Sequence, residues 1–114
     1  MLPALLDAVA AGRISIGDVA RLTAGNAAAR FGLPDRGRIA PGAKADLVIV
    51  DLARETAVTE TSLLTAAAPV ARLSHGERCR GRVMRTLLAG ETVWDGTRAT
   101  PEARGRFVSP ARAA

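Results

Sequence analysis

Apolar residues at the start of the chain repeat with the spacing of an α-helix. Leu2, Leu5, Leu6 and Val9 fall on one helical face, and Gly12 is suited to end the helix. No other segment of the sequence is an evident partner for this face. The pattern therefore predicts an amphipathic helix that has to pack against something larger.

A second helix is predicted to begin at Ser15, whose hydroxyl can cap it together with Asp18 three residues later. Its apolar stripe reaches Leu22, and the run Ala27–Ala29 either continues or restarts the helix. Gly32-Leu33-Pro34 then provides a stop signal. We therefore expect the first third of the chain to be helical.

The pattern changes to strands in the middle of the chain. Pro41-Gly42 precedes an apolar run, Leu47–Val50, and the predicted strand extends from about Asp46 to Asp51. Because its apolar residues are consecutive, we expect both faces of this strand to be covered. Residues 55–58 are predicted to form a short partner strand.

A hairpin is predicted near the end of the chain, because two β-rich runs flank Ala89-Gly90 and the glycine can form the turn. The preceding segment, residues 61–76, is weakly patterned, and we expect irregular structure with a helical turn near Ser62–Ala66. The segment after Asp95 is rich in Ala, Arg and Pro and is expected to be frayed.

Composition and charge narrow the classes of function. No apolar run approaches the roughly 18 residues of a membrane helix, and no signal peptide is evident, so we expect a cytoplasmic protein. The single cysteine excludes an internal disulfide. The net charge is +5, but the 16 basic residues are scattered and only three aromatic residues are present, so solvated charge is favoured over a nucleic-acid surface.

Several short motifs occur in one combination along almost the whole chain. They are Asn26-Ala27-Ala28, Gly32-Leu33, Gly37-Arg38-Ile39, Gly42, Ala45-Asp46-Leu47, and the hairpin residues Gly81, Val83, Thr86, Gly90 and Val93. This combination resembles the C-terminal region of the amidohydrolase superfamily, in its cyclic amidohydrolase branch of dihydroorotase, allantoinase and hydantoinase. Ala27 stands where that family has a proline, which would allow the helix to continue.

The resemblance implies an α+β fragment of a hydrolase that acts on C–N bonds of cyclic amides; a dihydroorotase would serve pyrimidine metabolism. In that family a TIM-like barrel carries the chemistry, and both chain ends build a small composite β-sandwich. Residues 1–35 would be the last barrel helices, 36–97 a β-sandwich segment and 98–114 a tail. The expected partner is the missing N-terminal barrel portion or a separate barrel chain, and a homo-oligomer is possible.

The family's metal centre, a pair of zinc or other divalent ions, uses a His-x-His pair, further histidines, a carboxylated lysine and an aspartate. This chain has one histidine, His75, and one lysine, Lys44, whereas a metal site needs several ligands that converge. We therefore expect no catalytic, cofactor-binding or metal-ligating residue and no cofactor in this chain. The first hypothesis is a structural C-terminal piece of a truncated or split enzyme; the alternative is a stand-alone scaffold module.

The remaining polar residues have simple structural interpretations. His75 is interpreted as a loop residue rather than a lone ligand or general base, and Lys44 as a solvated turn residue. Asp46 and Asp51 bracket the predicted strand and are too far apart for joint acid–base work. Turn hydrogen bonding or strand-end solvation is the favoured interpretation of both carboxylates.

Cys79 lies between two arginines, which favour a reactive thiolate; an ordinary thiol is the preferred interpretation, and a nucleophile remains open. The arginine cluster Arg78, Arg80, Arg82 and Arg85 is compatible with binding of phosphate or another anionic partner. Alternation places its first three members on one strand face, which equally describes a solvated face.

Overall fold

The computed structural model describes residues 1–59, 76–100 and 105–110. The helical elements are α1 (Leu2–Ala10), α2 (Ile16–Ala20), a π-helical turn (Arg21–Gly25) and α3 (Asn26–Arg30); the strands are β1 (Leu47–Ala57), β2 (Arg78–Leu88) and β3 (Glu91–Trp94). The strands form one sheet in the order β1-β2-β3. The described chain is thus a small α+β structure, as the pattern predicted. None of its described helices has the length and apolarity required to span a membrane.

The chain divides into two compact units. The first unit comprises Met1–Arg13 and Asp51–Arg82, and the second unit comprises Ile14–Val50 and Val83–Ala114. The division into barrel helices, sandwich segment and tail at residues 35 and 97 stays a prediction.

In the first unit, α1 packs on β2 through a leucine and a glycine. Leu6 is 1% exposed, and a Cβ added to Gly81 would lie 2.6 Å from the Leu6 Cβ. The backbone φ of Gly81 is +94°, a conformation that residues with a side chain rarely adopt. Asp7 Oδ1 also accepts a hydrogen bond from the backbone N–H of Arg80 at 3.0 Å. The α1 face that lacked an evident partner in the sequence therefore rests partly on β2.

β1 is one continuous strand, so the predicted separate partner strand at residues 55–58 is wrong. Residues 55–57 extend β1 beyond Asp51, because no glycine or proline follows Asp51 to end the strand. The Asp51 carboxylate accepts a hydrogen bond from the Ala53 N–H at 2.9 Å. At its end, the Val58 N–H donates to the Glu77 carbonyl and the Gly76 N–H donates to the Val58 carbonyl, both at 2.9 Å. The end of β1 thus lies beside the start of β2, and the two strands run antiparallel there.

The expectation that both faces of β1 are covered is wrong for the described chain. Val48 and Ile49 are 49% and 50% exposed, and no residue of β1 is buried. Among the described residues, the buried apolar side chains are Leu6, Val19 and Ala28. Hydrophobic residues make up 48% of the sequence. A domain of this length normally buries well over half of its surface, so these residues suit a larger core than the described chain forms.

The second helix begins with the predicted capping box. Ser15 Oγ accepts from the Asp18 N–H at 3.0 Å, and Asp18 Oδ2 accepts from the Ser15 N–H at 3.0 Å. The helix then continues through the π-helical turn, where the Asn26 N–H donates to the Arg21 carbonyl five residues back, and on through α3. Of the two predicted alternatives, continuation past Ala27 is therefore the observed one. The Leu33 N–H donates to the Ala28 carbonyl at 2.9 Å and closes the helix end.

The predicted hairpin is confirmed. Ala89 and Gly90 both have positive φ, 50° and 86°, as a two-residue turn between twisted antiparallel strands requires. β2 and β3 pair antiparallel, with Leu88 opposite Glu91 and a register shift between Thr86 and Leu87.

The expected fraying after Asp95 is wrong as far as residue 100. Asp95 Oδ1 accepts from the N–H groups of Thr97 and Arg98 at 2.9 Å, which turns the chain back, and the Thr100 N–H donates to the Val93 carbonyl at 3.0 Å. Residues 105–110 are exposed and have no regular structure. The predicted helical turn near Ser62–Ala66 lies outside the described residues.

Candidate functional site

The described residues do not assemble a metal centre of the kind that the family resemblance implies. In residues 1–59, 76–100 and 105–110, no group of three or more His, Cys, Asp or Glu side chains could hold a metal ion. His75 lies outside the described residues. Lys44 is exposed in the turn before β1, and its backbone N–H donates to the Asp35 carbonyl at 2.7 Å. The side chains of the described residues therefore do not fit a two-metal pair.

The best-organised polar group in the second unit is centred on the Asp46 carboxylate. Asp46 Oδ2 accepts a hydrogen bond from Arg36 Nη1 at 2.9 Å, and Oδ1 accepts from the backbone N–H of Ala89 at 2.9 Å. The Gly90 N–H donates to the Ala45 carbonyl at 3.0 Å. We call Asp35, Arg36, Asp46 and the Ala89-Gly90 turn the Asp46 cluster. It fastens the loop before β1 to the hairpin turn.

Arg36 lies between two carboxylates. Its Nε is 3.2 Å from Asp35 Oδ1 and its Nη1 is 2.9 Å from Asp46 Oδ2. The hydrogen bond from Arg36 holds the pKa of Asp35 below its usual value. Both Asp46 oxygens are occupied by donors, so this carboxylate holds structure rather than abstracts a proton. These hydrogen-bond partners of Asp46 are 10 and 43 residues away in the sequence, so they differ from the local turn bonding that was one of the two expected interpretations.

Asp51, in the first unit, also bonds locally. Its Oδ1 accepts from the Ala53 N–H at 2.9 Å, and its Oδ2 is 3.3 Å from Arg54 Nε. Each of the two aspartates that bracket the predicted strand is thus engaged by a backbone N–H and an arginine, which supports the structural interpretation of both.

Cys79 is a free, half-buried thiol on β2. The residues on either side of it, Arg78 and Arg80, are exposed, as is Arg82, so the predicted alternation along the strand is present. Arg78 Nη1 donates to Glu55 Oε2 at 3.1 Å, so the charge of Arg78 is paired with a carboxylate on β1. A solvated arginine face accounts for these positions, and the reactive-thiol alternative stays a prediction.

A groove of about 530 Å³ lies in the second unit, and sequence reasoning missed it. The lining includes apolar atoms of Ala28, Ala29, Leu33 and Pro34, with the Arg38 side chain also present. The groove exists because the loop after the helix approaches α3 closely: a Cβ on Gly37 would lie 2.5 Å from the Ala28 Cβ. The run of small residues at 27–29, followed by Gly37, was the available signal.

The sequence of this chain is similar to those of an allantoinase and of D-phenylhydantoinases. Residues 8–94 match the sequence profile of the Amidohydrolase family. The chain is 41% identical over 113 residues to an allantoinase from Rubrobacter xylanophilus, covering 98% of this chain and 24% of that protein. It is 38% identical over 104 residues to an Escherichia coli D-phenylhydantoinase, covering 88% of this chain and 22% of that protein. The chain therefore spans about a quarter of the length of these relatives.

Solved structures are also similar to most of this chain, at lower sequence identity. The L-hydantoinase (dihydropyrimidinase) from Arthrobacter aurescens aligns with a TM-score of 0.76 and 28% identity, covering 89% of this chain and 22% of that one. A D-hydantoinase aligns with a TM-score of 0.66 and 28% identity, covering 78% and 19%. The profile, the relatives and these structures agree with the motifs from Asn26 to Val93: the chain belongs to the amidohydrolase family, in its cyclic amidohydrolase branch.

Proposed function

We propose that this chain is the C-terminal portion of a metal-dependent cyclic amidohydrolase and contributes fold rather than reacting groups. The observation that carries the proposal is the coverage: 98% of this chain matches 24% of the allantoinase. The proposed reaction of the whole enzyme is hydrolysis of a C–N bond in a cyclic amide or imide, of the kind that the names of the relatives indicate.

A bound metal pair would supply an activated water and a polarised amide carbonyl at neutral pH. The described residues do not fit such a pair, so no step of the hydrolysis is assigned to them. Their contribution is positional: Leu6 on Gly81 holds α1 to β2, and the Asp46 cluster holds the loop before β1 to the hairpin. In the proposed enzyme these contacts shape the surface that meets the catalytic barrel.

A second candidate is a non-catalytic scaffold module that pairs with a barrel encoded as a separate chain. Val48 and Ile49, the exposed apolar residues at the start of β1, are consistent with both candidates. In one enzyme or in two paired chains, a barrel would be available to cover them. The nucleotide sequence upstream separates them. A continuous reading frame with a His-x-His segment indicates one enzyme, and a separate frame with that segment indicates two chains.

The proposal is tested with the isolated chain and with a chimera. The chimera is the Rubrobacter xylanophilus allantoinase with the quarter that matches this chain replaced by these 114 residues. Both are assayed with zinc or manganese on dihydroorotate, allantoin and hydantoin. We expect no turnover by the isolated chain and hydrolysis of allantoin by the chimera.

The matched control is the same allantoinase without the matching quarter, which we expect to be inactive. Turnover by the isolated chain would contradict the proposal, because it would place the reacting groups among these residues. A chimera no more active than the truncated control would contradict it equally, because this chain would then not provide the missing fold.

A further inference from the structure

We propose that Asp95-Gly96 is a site of spontaneous conversion to isoaspartate, which the folded turn suppresses and local opening of the turn permits. Asp95 is the one aspartate of the sequence that glycine follows directly. An aspartate before glycine converts readily, because glycine has no side chain to hinder the approach of its backbone nitrogen to the preceding carboxyl carbon. The turn after β3 therefore contains a reactive pair that is independent of the function proposed for the whole enzyme.

The conversion releases one water molecule and then takes one up. The Gly96 nitrogen attacks Cγ of the protonated Asp95 carboxyl group, so an N–Cγ bond forms and a Cγ–OH bond breaks. The hydroxyl leaves with the amide proton as water, and a five-membered cyclic imide remains. Water then opens the imide. Cleavage between the nitrogen and the original main-chain carbonyl carbon gives isoaspartate, whereas cleavage at Cγ returns aspartate.

The geometry of the folded turn opposes the attack. Asp95 Oδ1 accepts hydrogen bonds from the backbone N–H groups of Thr97 and Arg98, both at 2.9 Å. Ring closure brings Cγ to bonding distance of the Gly96 nitrogen, so the carboxylate has to leave these donors. Gly96 is also confined from the other side, since a Cβ added to it would lie 2.8 Å from the Met84 carbonyl oxygen on β2. Neither partner of the reaction therefore moves freely while the turn is closed.

The electrostatics of the turn act in the same direction. The N–H groups of Arg98 and then of Thr97 hold the pKa of Asp95 below its usual value, and Arg98 Nε lies 3.6 Å from Asp95 Oδ2. The carboxylate therefore stays ionised at neutral pH, whereas ring closure needs a carboxyl group that loses an oxygen as water. The Asp95 side chain is 42% exposed, so water reaches an imide once it has formed.

Isoaspartate does not fit the turn from which it forms. The main chain gains one methylene group between residues 95 and 96, and the carboxylate moves onto Cα, away from the Thr97 and Arg98 donors. Because Gly96 lies against Met84, the longer chain has no room there. The bond from the Thr100 N–H to the Val93 carbonyl, 3.0 Å in the closed turn, should then be lost. Opening of the turn thus becomes permanent after conversion.

The wild-type chain is tested by incubation at neutral pH and physiological temperature, with and without a denaturing concentration of guanidinium chloride. Isoaspartate at position 95 is quantified by peptide mapping. We expect it to form at least about tenfold more slowly without denaturant, because only the minor open state of the turn reacts. Asp51-Leu52 is the internal control, since Asp51 also accepts from the N–H two residues later but lacks a following glycine. It should convert very little in either condition.

Two substitutions of Arg98 separate the backbone donor from the side-chain charge. Arg98→Pro removes one of the two N–H donors to Asp95 Oδ1, and we expect conversion without denaturant to become several-fold faster. Arg98→Gln is the matched control, because it keeps this N–H and removes only a guanidinium on a side chain that is 87% exposed. Its rate should stay within about twofold of the wild-type rate. In the converted wild-type chain, the Thr100 amide should exchange its hydrogen faster than before.

Each comparison can overturn a stated part of the proposal. Equal rates with and without denaturant would refute suppression by the turn, and this comparison does not require any variant to fold. Absence of isoaspartate at position 95 in denaturant would refute the site itself. Conversion of Arg98→Pro no faster than that of Arg98→Gln would refute the assignment of suppression to the N–H donors. An unchanged Thr100 exchange rate after conversion would refute permanent opening.

Discussion

The first unit is tied together by an apolar contact, whereas the second unit is tied together by a carboxylate. In the first, Leu6 lies directly on the backbone of Gly81; in the second, Asp46 joins Arg36 to the Ala89 N–H. An apolar contact depends on volume and has no direction, while a hydrogen-bonded carboxylate depends on donors at fixed positions. The two units should therefore fail under different substitutions.

The largest effect is expected where the first unit has no room. Gly81→Ala places a methyl group 2.6 Å from the Leu6 Cβ at a φ of +94°, so it combines overpacking with backbone strain. We expect the free energy of unfolding to fall by about 3 kcal/mol or more, measured by urea denaturation.

Gly76→Ala is the matched control for this substitution. Gly76 has a similar φ of +86° but has no atom within 4 Å of its added Cβ, so only the strain, about 1–2 kcal/mol, should remain. Equal losses for the two variants would show that packing on Leu6 does not tie the unit together.

A smaller loss is expected in the second unit when its carboxylate is removed. Asp46→Ala leaves the Ala89 N–H without its acceptor and leaves Arg36 with Asp35 alone. The cost should be about 2 kcal/mol, as for hydrogen bonds to charged groups, and is measured by urea denaturation. Asp46→Asn should lose less, because its amide oxygen can still accept from the Ala89 N–H.

Asp51→Ala is the control for a carboxylate of similar connectivity. The Asp51 carboxylate also accepts a hydrogen bond from a backbone N–H and pairs with an arginine. Its side chain is more exposed than that of Asp46, 38% against 26%. We expect a loss below about 1 kcal/mol. If Asp51→Ala lowered the free energy of unfolding as much as Asp46→Ala does, the Asp46 cluster would not stabilise the fold more than an exposed local pair does.

The smallest effect is a dependence of stability on acid pH. Hydrogen bonds from Arg21 and then Ser15 lower the pKa of Asp18 from 3.8 to about 2. Because the folded-state pKa is the lower one, this stabilisation is complete above about pH 4 and is lost as the pH falls toward 2. Arg21→Gln should flatten that part of the stability profile, measured by urea denaturation between pH 6 and about 2.

Arg106→Gln, in the exposed tail, is the control and should leave the profile unchanged. Some acid sensitivity should persist in Arg21→Gln, because backbone N–H groups of Arg98 and Thr97 also lower the pKa of Asp95 and Arg36 lowers that of Asp35. An unchanged profile in Arg21→Gln would exclude the Asp18 interaction as a source of the slope.

Features encoded over a few residues were predictable from the sequence. The α1 periodicity, the Ser15–Asp18 capping box and the Ala89-Gly90 turn each depend on neighbours in the chain, and the motif combination identified the family. Asp46 was interpreted as a structural carboxylate at the strand end, but its Ala89 partner lies 43 residues away. No local pattern specifies such a pairing.

The exposure of the apolar residues of β1 and the groove beside α3 could not be predicted from the sequence, for a related reason. Four consecutive apolar residues at Leu47–Val50 indicate that a strand prefers to be covered, but they do not say which polypeptide covers it. The groove depends on the approach of Gly37 to Ala28, a contact across a loop whose path the sequence does not specify. The sequence shows small residues at both positions, but it does not show that Gly37 and Ala28 are in contact.

The π-helical turn at Arg21–Gly25 sets the rotational phase of everything after it in the helix. A π-turn accommodates one residue more than an α-turn does, and each residue of an α-helix rotates by about 100°. Removing one residue here would restore a regular spiral but would swing Ala28 away from the loop glycine it touches. The single surplus residue thus acts as a spacer. An insertion or deletion within this turn would change the direction of every later side chain of the helix, although the residues of the turn are ordinary helix residues.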